Sequence, residues 1–163
     1  MSILGELTLL FLLICLGFSV YYIYKEKYIN KTKMSFKESL DLVGVPIVTF
    51  YQFGNKYNFL LDSGAAINCI NKDIISTINY SKTKLADGVI GLDGIKHDAE
   101  IINVNLFYKD NSFNTNFAVV NMTETLAEIK QSSGVTVCGI LGTEFLSKYK
   151  YVMDFKDNIA YIK

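Results

Sequence analysis

The sequence predicts a mainly β domain with a few short helices, preceded by one N-terminal transmembrane helix. Three observations carry this reading. Residues 7–24 run without a charged side chain. From Val45 onward, β-branched and aromatic residues gather in short runs broken by Gly, Asn and Asp. Helical periodicity recurs only over short windows. The 163 residues leave room for one ordinary domain plus an accessory segment. Half of them are apolar and 20% are charged, a composition that supports a packed core and excludes global disorder.

The first element, "LTLLFLLICLGFSVYYIY" from Leu7 to Tyr24, would span roughly 27 Å as a helix, close to the hydrocarbon thickness of a bilayer. Tyr21, Tyr22 and Tyr24 cluster at its end, where amphipathic rings favour the interface. A cleaved signal peptide fits less well: Glu6 is the only charged side chain ahead of the run, and no small-x-small cleavage site follows. Bulky Ile14 before Cys15 argues against a lipoprotein site. Lys25, Lys27, Lys31, Lys33 and Lys37 all follow the span, so the positive-inside rule places the following domain in the cytoplasm. The expectation is a single-pass protein of a bacterial-type plasma membrane, with residues 1–25 as anchor.

Residues 26–44 read as a juxtamembrane linker ending in a short amphipathic helix. Ser35-Phe36-Lys37-Glu38 matches a capping box, Phe36, Leu40 and Val43 recur at helical spacing, and Gly44 offers a stop. Residues 45–163 form the domain. "VPIVTFYQF" and "KYNFLLD" are strand-like, with Gly54-Asn55 as the hairpin signal and Pro46 at the strand's beginning. Asn71 is placed to cap a helical turn, "KDIISTI". Asp87-Gly88 and Asp93-Gly94 bracket "VIGL", Val89 to Leu92, which suits a mobile hairpin, and "EIINVNLFY" and "SFNTNFAVVN" follow as strands. Thr123 is a candidate cap for the helix "TETLAEIKQSS", with Gly134 beyond its end. "VTVCGILG" is a strand, "TEFLSKY" a short helix, and "YVMDF" and "IAYIK" a closing hairpin.

Several functions are excluded by this pattern. Zero formal net charge argues against nucleic-acid partners, which need a basic surface to displace counterions. Every basic side chain is Lys, and with many Asn, Ile and Tyr this reads as the bias of an A/T-rich genome. Alternating long helices and a glycine-rich phosphate turn are missing, so a Rossmann or P-loop domain is not expected. A single histidine, His97 in a polar turn, leaves little for a Ser-His or Cys-His pair or a zinc site. Cys15, Cys69 and Cys138 make an odd count without metal-ligand spacing. Free, buried thiols are the favoured reading, with a Cys69–Cys138 disulfide as the alternative.

One stretch carries chemistry. In "FLLDSGAAINCI" an apolar strand, Phe59 to Leu61, runs straight into Asp62-Ser63-Gly64-Ala65. Hydrolysis by carboxylates needs two of them held together, one activating a water as base and the other donating a proton. Such an aspartate needs a tight loop with small neighbours; Gly64 permits the turn, Ala65 is small, and the Ser63 hydroxyl can bond across the loop. Far downstream, Ile140-Leu141-Gly142 places an apolar pair and a glycine at a strand end before a short helix.

These two signatures together resemble the retropepsin-like (retroviral-type) aspartic protease family, from about Val45 to Lys163. Leu60-Leu61-Asp62-Ser63-Gly64-Ala65 matches that family's apolar-apolar-Asp-Ser/Thr-Gly-Ala loop, and Ile140-Leu141-Gly142 its second signature. The resemblance implies a single-lobe retropepsin-like acid protease fold. Asp62 is then the catalytic carboxylate and Ser63 the loop-locking hydroxyl, with Gly64 completing the catalytic loop. Gly64 and Ala65 shape the cleft floor, and Ile140, Leu141 and Gly142 support the site from behind. Ala65 and Ala66 would contact substrate, as would Gly88, Val89, Ile90 and Gly91 in a flap assigned to 87–95. Ala66 stands where viral members often carry an acidic residue, so specificity does not transfer. No other acid in the chain is followed by Ser/Thr-Gly, so the missing partner is expected to be Asp62 of a second copy across a two-fold axis. The expected function is a membrane-anchored homodimeric aspartic endopeptidase acting on a polypeptide, without metal or cofactor. A catalytically inactive peptide-binding or dimerisation module tethered to the membrane is the alternative. An unrelated small β domain with a chance tripeptide is the third reading.

Overall fold

The computed structural model describes residues 12–21, 35–83, 88–90 and 96–163, with only the backbone of 88–90 and 96–98. The chain divides into two compact units, Met1–Thr32 and Lys33–Lys163. In the first, residues 12–21 are α-helical, and Leu12, Leu13, Ile14, Leu16, Phe18 and Val20 are all exposed. This is the described part of the expected 7–24 span, whose two ends lie outside the described residues. Among the described residues no helix is long and apolar enough to cross a membrane.

The second unit opens with α1 (Phe36–Val43), whose capping box forms as expected. The Ser35 hydroxyl accepts the Glu38 N–H at 3.2 Å, and Gly44 closes the helix at φ 77°. Phe36 enters the core, and the fully buried Ser39 hydroxyl accepts the Ile47 N–H at 2.9 Å, fixing the helix to the first strand. That strand, β1 (Ile47–Gln52), pairs antiparallel with β2 (Asn55–Leu61) from Ile47↔Leu60 to Gln52↔Asn55. The two-residue turn is therefore Phe53-Gly54, at φ 48° and 82°, and not the expected Gly54-Asn55. The register explains the shift. Phe50, Tyr57 and Phe59 are all buried, and slipping one residue would turn the β2 side chains outward.

The remaining elements follow in order: β3 (Cys69–Asn71), β4 (Ser81–Lys82), β5 (Gly88–Ile90), β6 (Lys96–Asp98), β7 (Ile101–Tyr108) and β8 (Asn111–Val120). Then come α2 (Thr123–Ser133), β9 (Gly139–Leu141), α3 (Thr143–Lys148), β10 (Tyr151–Asp154) and β11 (Ile159–Ile162). The main sheet runs β1-β2-β9-β3-β8-β7-β4. A further pairing at Tyr51↔Phe107 joins β7 back to β1, closing six of these strands into a barrel with β4 on the outer edge. The strand expected over 135–141 is hydrogen-bonded as a ladder only at its end. β5 pairs with β6 as a separate hairpin, so His97 lies in a strand and not in a turn.

The barrel is filled by Phe50, Phe59, Phe113, Phe117 and Phe145, none more than 1% exposed. Their rings meet edge-on, tilted or stacked at 5.3–6.0 Å, geometry that adds to burial. α2 packs separately, its Leu126 joining Ile47, Val135 and Val137 in a second cluster.

Two expected caps are used differently. Asn71 precedes a 3₁₀ turn, Lys72–Ile74, but makes no cap bond to it. Its Oδ1 accepts the Met122 N–H at 3.1 Å, tying β3 to the start of α2. Met122 takes the cap position of α2, while Thr123 is its first residue and donates to Asp73 Oδ2 at 2.7 Å.

Candidate active site

Asp62 follows β2 directly, at the point where the chain leaves the sheet. The strand supplies the apolar residues that anchor it: Phe59 and Leu61 are at most 2% exposed. β9 lies between the two strands that the Asp62 loop connects, parallel to β2 at Leu61↔Leu141 and antiparallel to β3 at Cys69↔Ile140. The two sequence signatures, far apart in the chain, are thereby brought side by side: the Asp62 N–H donates to the Leu141 carbonyl at 3.0 Å. This closeness demands glycine. A Cβ on Gly139 would stand 2.3 Å from the Cys69 carbonyl oxygen, and one on Gly142 2.4 Å from that of Ile67.

The half-buried Asp62 carboxylate is oriented from within the loop. Its Oδ1 accepts the Gly64 N–H at 2.8 Å, and its second oxygen has no hydrogen-bond partner among the described residues. The loop's far side is fastened to the start of α3. The Ala65 carbonyl accepts the Thr143 N–H at 2.8 Å, and the Ala66 carbonyl accepts the Glu144 N–H at 3.2 Å. The Thr143 hydroxyl lies 3.2 Å from both carbonyl oxygens. Amides that a helix start leaves unpaired are thus taken up by the loop.

Asn68 is the hub of this arrangement, and sequence reasoning missed it. It is 1% exposed. Its Oδ1 accepts the Gly142 N–H at 3.0 Å. Its Nδ2 donates to Thr115 Oγ1, the Asn116 carbonyl and Glu144 Oε2 at 3.0–3.2 Å. One buried amide therefore fixes the loop, β8, β9 and α3 relative to one another. The available signal was an amide between apolar residues in "AINCI", where an unpaired polar group would be costly.

Ser63 is exposed, and its hydroxyl makes no hydrogen bond among the described residues. Within one chain the loop is locked by Thr143 and Asn68 in the place expected for Ser63. Gly64, Ala65 and Ala66 sit in the loop, and Ile140, Leu141 and Gly142 stand behind it. Gly88, Val89 and Ile90 form β5, paired with β6 through Gly88↔Asp98, Val89↔His97 and Ile90↔Lys96. Gly91 and the rest of 91–95 lie outside the described residues, as does Asp87. The three cysteines are free thiols. Burial raises the pKa of Cys69 and pushes that of Cys138 up to about 11, so both are poor nucleophiles. Among the described residues no three His, Cys, Asp or Glu side chains gather as a metal site.

No family model and no curated protein matches the chain. Among solved structures, it is similar to EIAV protease in complex with the inhibitor HBY-793, at 18% identity over 64% of this chain and 86% of that one, with a TM-score of 0.47. The retroviral protease-like domain of Ddi1 from Leishmania major is 14% identical over 73% and 88% of the two chains, with a TM-score of 0.46. A retropepsin-like aspartic protease from Rickettsia conorii is 16% identical over 68% and 77%, with a TM-score of 0.40.

Proposed function

We propose that the chain is a retropepsin-like aspartic endopeptidase that works as a homodimer, tethered to a membrane by its N-terminal helix. The observation that carries this is the mounting of Asp62. A barrel holds one carboxylate at a strand end, with one oxygen fixed by Gly64 and the other without a partner among the described residues. Each chain supplies half of a carboxylate pair, and a two-fold axis through the loop supplies the rest.

In the dimer two Asp62 carboxylates share one proton. The ionised one removes a proton from a water as its oxygen bonds to the peptide carbonyl carbon. The protonated one donates to the carbonyl oxygen. Collapse of the tetrahedral intermediate breaks the C–N bond, and the amine leaves with the proton taken from water. The exposed Ser63 hydroxyl is left to bond across the subunit boundary. β11 supports the pairing: it is an edge strand, with Ile159, Tyr161 and Ile162 each at least 40% exposed. The β5–β6 hairpin, Gly88 to Ile90 included, acts as the flap over an extended polypeptide. The exposed apolar helix 12–21 and the lysines after it fit a single-pass anchor in a bacterial-type plasma membrane, with the domain cytoplasmic.

The test uses full-length protein in a membrane mimic, incubated with a diverse peptide pool beside an Asp62→Asn twin, with new termini read by mass spectrometry. Cleavage by the parent and not the twin is the expected result. Silence from a folded, dimeric parent would overturn the reading in favour of a tethered binding module.

A further inference from the structure

A second surface, which shares no residue with the Asp62 loop, has the features of a ligand site. Outside the barrel, between β4 and the β1–β2 turn, lies a groove of about 360 Å³, within the size range of small-molecule sites, ~300–1,000 Å³. Among the described residues its lining holds no Lys, Asp, Glu or His; amides and aromatic rings make up most of it.

The amides are held in place. Gln52, only 4% exposed, donates from Nε2 to the carbonyls of Asn79 and Asn105 and accepts the Asn79 N–H. Asn103 and Asn114 exchange a reciprocal pair of bonds at 2.7 and 2.9 Å across β7 and β8. Among the described residues, the Asn105 Nδ2 and the Asn79 side-chain amide have no partner, so fixed amides sit beside uncommitted ones. Two rings border them. Phe107 is 40% exposed, and Phe53 is 80% exposed on the hairpin turn at φ 48°. A bulky residue in the left-handed region is an outlier that points to function more than to folding.

We propose that this groove binds a neutral saccharide. Sugar hydroxyls match planar amides that both donate and accept, and the C–H face of a sugar ring matches an exposed phenyl ring. Anionic ligands find no cation among the described lining residues. An extended peptide would need a free strand edge, and the outer edge of β7 is taken by Ser81↔Asn103, by Tyr51↔Phe107 and between them by the Gln52 amide. The site stands whether or not the chain is a protease.

The experiment is calorimetric titration of full-length protein in phosphatidylcholine nanodiscs, which carry no sugar, with chitotriose, cellotriose, maltotriose and mannotriose. Saturable binding of at least one, insensitive to added salt, is expected. Losing one stacked ring should weaken it roughly tenfold in Phe53→Gly. That variant suits the turn better than phenylalanine, so a denaturation midpoint at or above the parent's separates lost binding from lost folding. Asn105→Ala should weaken the same sugar. Binding of none of the four, binding unchanged in Phe53→Gly, or displacement of the sugar by a neutral extended peptide would each overturn the proposal.

Discussion

Gly64 lies in the Asp62 loop and Gly142 behind it, and alanine at each tests a different thing. At Gly142 the new methyl would lie 2.4 and 2.6 Å from the backbone oxygens of Ile67 and Ala65. Backbone cannot step aside, so Gly142→Ala should lose about 3 kcal/mol or more in urea unfolding. At Gly64 the nearest atom is Asp62 Oδ1, at 3.2 Å. Gly64→Ala should displace that oxygen, lowering peptidase activity roughly tenfold or more, while stability changes by less than about 1 kcal/mol. Equal losses of stability would refute this division of labour. Cys138 gives a pH signature. Burial raises its thiol from 9.0 to about 11. Between those values the folded chain keeps a proton that the unfolded chain releases, so the thiol's contribution is whole below pH 9 and lost as pH rises to 11. The loss is about 2–3 kcal/mol. Cys138→Ala should flatten the fall in unfolding free energy across that window, and an unchanged slope would assign the fall elsewhere.

At the scale of elements, what could be read from the sequence was what neighbouring residues decide. Ser35, Glu38 and Gly44 act within one helix, and their pattern gave α1 to the residue. Asp62-Ser63-Gly64 is equally local. The rest depended on distant partners. Asn68 reaches Thr115, Gly142 and Glu144, between 47 and 76 positions away. Asn71 bonds Met122 where a local cap was expected, because β3 runs beside β8 and delivers it to the start of α2. The β1–β2 turn shows the same limit: Asn55 has the chemistry of a turn, but the register set by Phe50, Tyr57 and Phe59 moves the turn to Phe53. That misfit predicts a gain. Phe53 is 80% exposed and at φ 48°, so it gives up little burial on replacement. Phe53→Asn should raise stability by about 1 kcal/mol by relieving the left-handed strain. A lower midpoint in denaturant would mean that the ring packs on the barrel more than its exposure shows.

For the whole molecule, the proposed function makes activity a property of pairs of chains. A monomer holds one Asp62, and no rearrangement within the described chain brings a second Asp-Ser-Gly to it. Mixing the parent with Asp62→Asn chains therefore gives three dimers, of which only the parent homodimer has two aspartates. If chains exchange freely and pair at random, activity should fall as the square of the parent fraction, leaving about a quarter at equal mixing. A site complete in one chain would leave about half, the mutant acting only as a diluent. Exchange needs checking in the same samples, since dimers that never part would also leave half; differently tagged chains that co-purify after mixing show that it has occurred. β11 should set how readily this happens. Its exposed Ile159, Tyr161 and Ile162 lie on an edge strand whose free side is the proposed seam. A lysine at Tyr161 would bring two like charges into that seam, raising the concentration needed for half-maximal activity while the isolated barrel unfolds as before.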